Sequence, residues 1–177
     1  MKQASVENGL STYVALLRGI NVGGRSLIRM EDLRNALTAS GFRDVRTVLA
    51  SGNVLFRAPE GDAATLTENI ERILSRALGR DVVVIVRRLD DLRELPGRFK
   101  GVENEPGVRL FVTFLPESAG TPFLVEEEGY RVLCATNGMI CILLYGTGAA
   151  ELMGVIEKKF GQKATTRSWN TIARLLK

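Results

Sequence analysis

Between residues 13 and 56 an apolar run, a glycine loop, an amphipathic segment and a turn signal follow one another without a spare residue. That succession limits the folds open to the chain. TYVALLR at 12–18 reads as a buried strand stopped by Gly19. After the loop GINVGGRS a helix is expected from about Met30, with Met30, Leu33, Ala36 and Leu37 on one face. Glu31, Asp32 and Asn35 point outward, and Gly41 suits the C-cap. VRTVLA at 45–50 and NVLFR at 53–57 read as two strands joined by SGN, where Gly52 takes positive φ and Asn53 tolerates it. A second helix at 63–78 opens with the capping-box spacing of Thr65 and Glu68, and VVVIVRR at 82–88 is another strand. The order is β-α-β-β-α-β, that of a ferredoxin-like unit.

The second half is less regular. LDDLREL at 89–95 reads as a short helix and VRLFVTFL at 108–115 as a central strand. RVLCAT and MICILLY flank Asn137-Gly138, a strong hairpin signal that sets Cys134 opposite Cys141. An intracellular reading favours two reduced packing cysteines over a disulfide. Final helices are expected at 148–160 and 167–176. The fold expectation is α+β, with a ferredoxin-like (βαββαβ) first half packed with a second, smaller and less regular α+β half. Residues 1–11 read as a flexible tail, 12–88 as the first subdomain, and 89–177 as the second, ending in a helix.

Composition narrows the chemistry. The 177 residues contain no histidine, which removes Ser-His-Asp and Cys-His nucleophile pairs. Two cysteines cannot close a structural zinc site, so no metal is expected. A general base would have to be a carboxylate, lysine, tyrosine or water. No apolar run approaches the roughly 20 residues that cross a bilayer. MKQASVENGLS also lacks the apolar core of a signal peptide. A cytoplasmic protein without a membrane partner is the expectation. A net charge of +4 welcomes anions, but the lysines and arginines are scattered and form no basic arm.

Two stretches exceed the needs of packing. GINVGGRS nearly spells a phosphate-binding loop, with Gly19, four residues, Gly24, then Arg25 and Ser26. Arg25 replaces the lysine, Leu27-Ile28-Arg29 starts a helix poorly, and no strand ends in a magnesium-binding aspartate. The open readings are a turn that needs glycine φ angles and an anion pocket lined by Arg18 and Arg25. TTRSWNT holds the sole tryptophan; its Ser, Thr and Asn suit helix caps, or present a polar wall with Arg167. An RNA-recognition reading finds aromatics Tyr13 and Phe56 on the first and third strands, but too few others.

YVALLRGINVGG, MEDLRNAL, SGNVLF and ATTRSWNT together resemble a bacterial family known as domain-of-unknown-function family 1697. The resemblance implies a cytosolic α+β protein with ferredoxin-like subdomains, no established activity and no catalytic residues to carry over. The chain departs from the family at PESAGTPFLVEEEGY, which is short, and at GTGAAELM, where a lysine-bearing helix start is common.

The functional expectation is a binding protein for an anionic ligand, either a phosphorylated small molecule or a nucleic-acid backbone. Arg18, Arg25 and Arg167 would supply charge, and Asn21, Asn53 and Asn170 hydrogen bonds. Gly23 and Gly24 would allow close backbone approach, and Trp169 an aromatic wall. No cofactor and no catalytic residue is identified. The alternatives are an enzyme acting on a phosphorylated small molecule and a self-associating protein without catalysis.

Overall fold

In the computed structural model the apolar run is strand β1 (Leu10–Leu17), on which the first sheet is built. The structure describes residues 9–21, 28–102, 105–116, 119, 121, 124, 129–136 and 138–177. The chain divides into two units, Met1–Asp90 and Asp91–Lys177.

The first unit continues with α1 (Met30–Ala39), β2 (Arg43–Thr47), β3 (Asn53–Pro59), α2 (Ala63–Leu78) and β4 (Val84–Arg88). Its sheet has the order β2-β3-β1-β4, and every neighbouring pair is antiparallel. The succession read from the sequence therefore stands. β1 starts two residues earlier than expected, because Leu10 and Ser11 pair with Pro59 and Ala58 of the long β3. The rest of the tail read at 1–11, up to residue 8, lies outside the described residues.

Alternation along β1 sends Tyr13, Ala15 and Leu17 into a core with Val54, Phe56, Val84, Val86, Leu33, Leu37, Ile70 and Leu74. Tyr13 stacks on Phe56 with centroids 5.6 Å apart, and its hydroxyl accepts from the Gly61 amide at 3.1 Å. Both aromatics are thus core residues on the helix side of the sheet and unavailable to stack a base.

The second helix is capped differently from the expected Thr65–Glu68 box. Asp62 is the N-cap, accepting from the Thr65 amide at 2.9 Å and the Thr65 hydroxyl at 3.0 Å. The Thr65 amide, then its hydroxyl, hold the Asp62 carboxyl below its ordinary value. A carboxylate lowered by folding stabilises above its unfolded pKa, and this contribution is lost as pH falls through the folded one. Gly79, at φ 67°, ends the helix.

α2 also guards an edge. β4 is the border strand, and its outward amides do not face water alone. The Val84 amide donates to Glu71 Oε1 at 2.9 Å and the Val86 amide to Thr67 Oγ1 at 3.2 Å. Side chains of one helix thus occupy the donors that a second strand would otherwise pair with.

The second unit contains α3 (Leu89–Arg93), which begins at the boundary, and α4 (Leu95–Phe99). β5 (Val108–Phe114), β6 (Tyr130–Thr136), β7 (Met139–Tyr145), α5 (Ala149–Phe160), β8 (Thr165–Ser168) and α6 (Trp169–Leu175) follow. The sheet order is β6-β7-β5-β8, again antiparallel throughout. Ile140, Ile142 and Leu144 of β7 meet Leu152 and Ile156 of α5 in one core. The final helix starts at Trp169 and not at 167, because Thr165–Ser168 pair with β5. β-Branched threonines favour that extended state, and the Thr113 and Thr166 hydroxyls meet across the strands at 2.9 Å.

Gly138 takes φ 72° in the β6–β7 hairpin, while Asn137 lies outside the described residues. Cys134 and Cys141 face each other with Cα atoms 5.0 Å apart and are joined in a disulfide. The expected reduced pair is corrected: direct opposition across a two-strand ladder brings the sulfurs within bonding reach. No helix among the described residues is long and apolar enough to cross a membrane.

Replacing both Thr67 and Glu71 by alanine should leave two border amides without partners. A loss of about 1–3 kcal/mol in urea denaturation is expected, with increased self-association in sedimentation velocity. An unchanged midpoint and sedimentation profile would remove the guarding role.

Candidate functional site

The chain leaves β1 at Arg18, whose amide donates to the Val83 carbonyl at 2.8 Å. Asn21 follows in the left-handed region at φ 59°. Its Nδ2 donates to the Ile28 carbonyl and the Ala50 carbonyl, each at 3.0 Å, and its Oδ1 accepts the Ile28 amide at 2.7 Å. One side chain thus ties together the two ends of segment 22–27 and links them to the β2–β3 connection.

That connection is longer than the expected SGN turn. β2 ends at Thr47, and residues 48–52 cross to β3 with Leu49 at φ 61° and Gly52 at φ 78°. Asn53 opens β3, as the strand expected at 53–57 does, and is fully buried. Its Nδ2 donates to the Val48 carbonyl at 2.9 Å and to Ser51 Oγ at 3.0 Å. Gly52 is required twice over, by its φ and by space, since a Cβ there would lie 2.8 Å from Ile20 and 2.9 Å from Leu17.

The two asparagines proposed as ligand contacts therefore serve as braces. Their amides bond the fold itself, which accounts for much of the polar character that singled out this stretch. Arg18, Asn21 and Asn53 are brought to one end of the first sheet. Gly23, Gly24 and Arg25 lie outside the described residues.

In the second unit the β5–β8 ladder stops at Phe111 and Ser168, because the chain turns into α6 at Trp169. Val108–Leu110 have no β8 partner, and a cleft of about 170 Å³ opens there. Its walls are Val108, Arg109, Leu110, Phe111, Ser168, Trp169 and Asn170. Trp169 is held edge-on against Phe99, with centroids 4.7 Å apart and planes at 64°. Arg109 donates to the Gly146 carbonyl at 3.0 Å, and its guanidinium lies 5.9 Å from the Phe111 ring centre. A cation, an indole and the exposed Asn170 amide therefore share one small concavity.

Arg167 does not line this cleft. It pairs with Val112, in the row that continues to Cys141, while Ser168 pairs with Phe111, so alternation puts it on the opposite face. Its Nη1 donates to Thr165 Oγ1 at 2.8 Å and the Thr166 carbonyl at 3.0 Å. Burial pushes its guanidinium down to about 10, which still leaves it charged at neutral pH. The arginine that borders the cleft is Arg109, which the sequence reading did not single out. Arg109 was legible only as the single charge within an apolar strand.

A larger hollow of about 570 Å³ lies beside α2, lined by Glu68, Glu71, Arg72, Ser75, Arg76 and Asp81. Its mixed charges favour no anion, and Ser75 already donates to Asp81 at 2.9 Å. Among the described residues no cluster of three or more His, Cys, Asp or Glu could hold a metal ion.

Comparison with known proteins matches residues 10–128 to a family described as "Protein of unknown function (DUF1697)". A methionyl-tRNA formyltransferase from Ruegeria pomeroyi is 30% identical over 82% of this chain and 48% of the relative. The chain spans about half the length of that curated relative. A solved structure of a conserved bacterial protein from Streptococcus pneumoniae superposes with a TM-score of 0.70. It covers 95% of this chain and 99% of the other at 21% identity, so the likeness concerns the fold.

Asn21→Asp keeps the shape, the left-handed preference and the acceptor, but loses the donor to Ile28 and Ala50. A loss of about 1–3 kcal/mol is expected in urea denaturation. A midpoint equal to that of the unmodified protein would show that the brace contributes nothing.

Proposed function

The chain belongs to the DUF1697 family, and from that premise we propose that it is a binding protein for a small anionic ligand. The ligand is held in the cleft between the start of β5 and the start of α6. The observation that carries this reading is the position of Arg109 beside Trp169 and Asn170 in one concavity. Apolar side chains interleaved with polar groups orient a ligand, and a fixed guanidinium selects a negative charge. Phe111 and the Gly146 carbonyl hold that guanidinium in place before any ligand arrives.

Binding is preferred to catalysis because the described residues lining the cleft include no carboxylate, lysine or tyrosine to move a proton. The relative named for a tRNA substrate supports keeping polyanions among the ligands tested. The ferredoxin-like reading of the first unit is supported by its β-α-β-β-α-β succession with β1 central. Arg18 and Arg25 form a separate candidate contact on that unit.

Trp169 is the sole tryptophan, so selectively excited tryptophan fluorescence reports on this cleft. Titration with inorganic phosphate, a nucleoside monophosphate and an oligouridylate should give a saturable change for at least one. Arg109→Ala should weaken it roughly tenfold or more, as expected for a lost charged hydrogen bond. No spectral change with any of the three probes, or equal affinity in the variant, would refute the cleft. Loss in Arg25→Ala with Arg109→Ala unaffected would move the site to the glycine-rich loop.

A further inference from the structure

On the first sheet, β2 and β3 pair irregularly. Arg43 lies opposite Arg57 and Arg46 opposite Leu55, so three steps on β2 match two on β3. In a regular strand, residues three apart point to opposite faces. The extra residue cancels that alternation and sets Arg43 and Arg46 on the same face. Arg57 shares it, because Val54, Phe56 and Ala58 point into the core with α1 and α2. Bulges of this kind re-aim side chains, and they recur at functional sites.

The arrangement works against stability. Arg43 and Arg57 are like charges directly opposed across a strand pair, which is unfavourable. Asp44, within the bulge, takes φ 51° and bridges to Arg57 at 3.3 Å. Arg43 and Arg46 are exposed on the border strand, and core packing requires neither.

We propose that Arg43, Arg46 and Arg57 form a docking strip for the phosphate backbone of single-stranded nucleic acid. Arg43 and Arg46 follow the strand, and Arg57 lies across from Arg43. Arg43 and Arg46 are separated by two residue pairs, about 7 Å along the strand. Arg43 and Arg57 are about 5 Å apart across it. The pair along the strand, Arg43 and Arg46, can meet successive charges of an extended polyanion. Guanidinium groups suit phosphate oxygens, and the protein's net charge of +4 favours the encounter. Tyr13 and Phe56 lie on the other face, so the strip provides charge without base stacking and little sequence preference.

The test is fluorescence anisotropy with a labelled oligouridylate at about 50 mM salt, with far-UV circular dichroism to confirm the fold of each variant. The unmodified protein should bind. The Arg43→Glu/Arg46→Glu variant should bind roughly tenfold or more weakly, and its salt slope should be shallower by about 1.4. Arg43→Lys/Arg46→Lys should retain binding. Asp44→Asn, which tolerates the left-handed backbone, should tighten it. The proposal is overturned if the unmodified protein fails to bind RNA or if the double-glutamate variant binds equally. Attachment to phosphatidylserine vesicles without RNA binding would also overturn it.

Discussion

The first unit depends on the complete burial of one strand. Tyr13, Val14, Ala15, Leu16 and Leu17 are all fully inaccessible, although alternate residues point to opposite faces. β1 also pairs along both edges, with β3 on one side and β4 on the other. A segment with no wet face and no open edge must be apolar without a break, and YVALL is. Everything polar in this unit is consequently displaced to the strand ends, the border strands and the outer helix faces.

That displacement explains what the glycine-rich stretch contributes to the fold. Where β1 ends, the backbone must turn within a few residues while keeping its polar groups bonded. Asn21 and Asn53 do this with side-chain amides, and Gly52 lets the crossing chain pass against Leu17 and Ile20. A run of glycines and asparagines looks the same in sequence whether its donors face a ligand or the chain itself. The hydrogen bonds of the two asparagines show that they brace the fold. Their positions are fixed by closure of the sheet end, without appeal to a ligand.

Periodicity made β1, both long helices, β4 and the β6–β7 hairpin legible, because each carries an unbroken apolar pattern. Three features were hidden for distinct physical reasons. β8 is four polar residues, Thr165–Ser168, and Ser and Thr before a helix read equally well as caps. The bulge at Asp44 leaves no hydrophobic trace, because RDVRT has a single apolar residue and its register is set by β3. Arg109 is one charge in an apolar strand, and only the early end of β8 reveals that it borders a cleft. The cysteine pair shows a different failure: opposition was correctly read from the turn, but compartment was allowed to decide the bond.

The arginines show why net charge was a poor guide to partners. Arg87 and Arg167 are largely buried, and each donates to a carbonyl of the preceding residue, Val86 at 2.7 Å and Thr166 at 3.0 Å. A buried charge bonded to its own backbone belongs to the architecture, since removing those bonds would leave a costly desolvated cation. Arg43, Arg46 and Arg109 are exposed, yet each is placed by a specific device: a bulge for the first two, an aromatic ring and a carbonyl for the third. An exposed long side chain normally keeps its rotamer freedom, and restricting it costs entropy with little return from a surface contact. Placement of that kind has a rationale where the cation meets an anion that arrives from solution. The two proposed sites differ in shape: Arg109 borders a concavity, while Arg43 and Arg46 lie along an exposed strand.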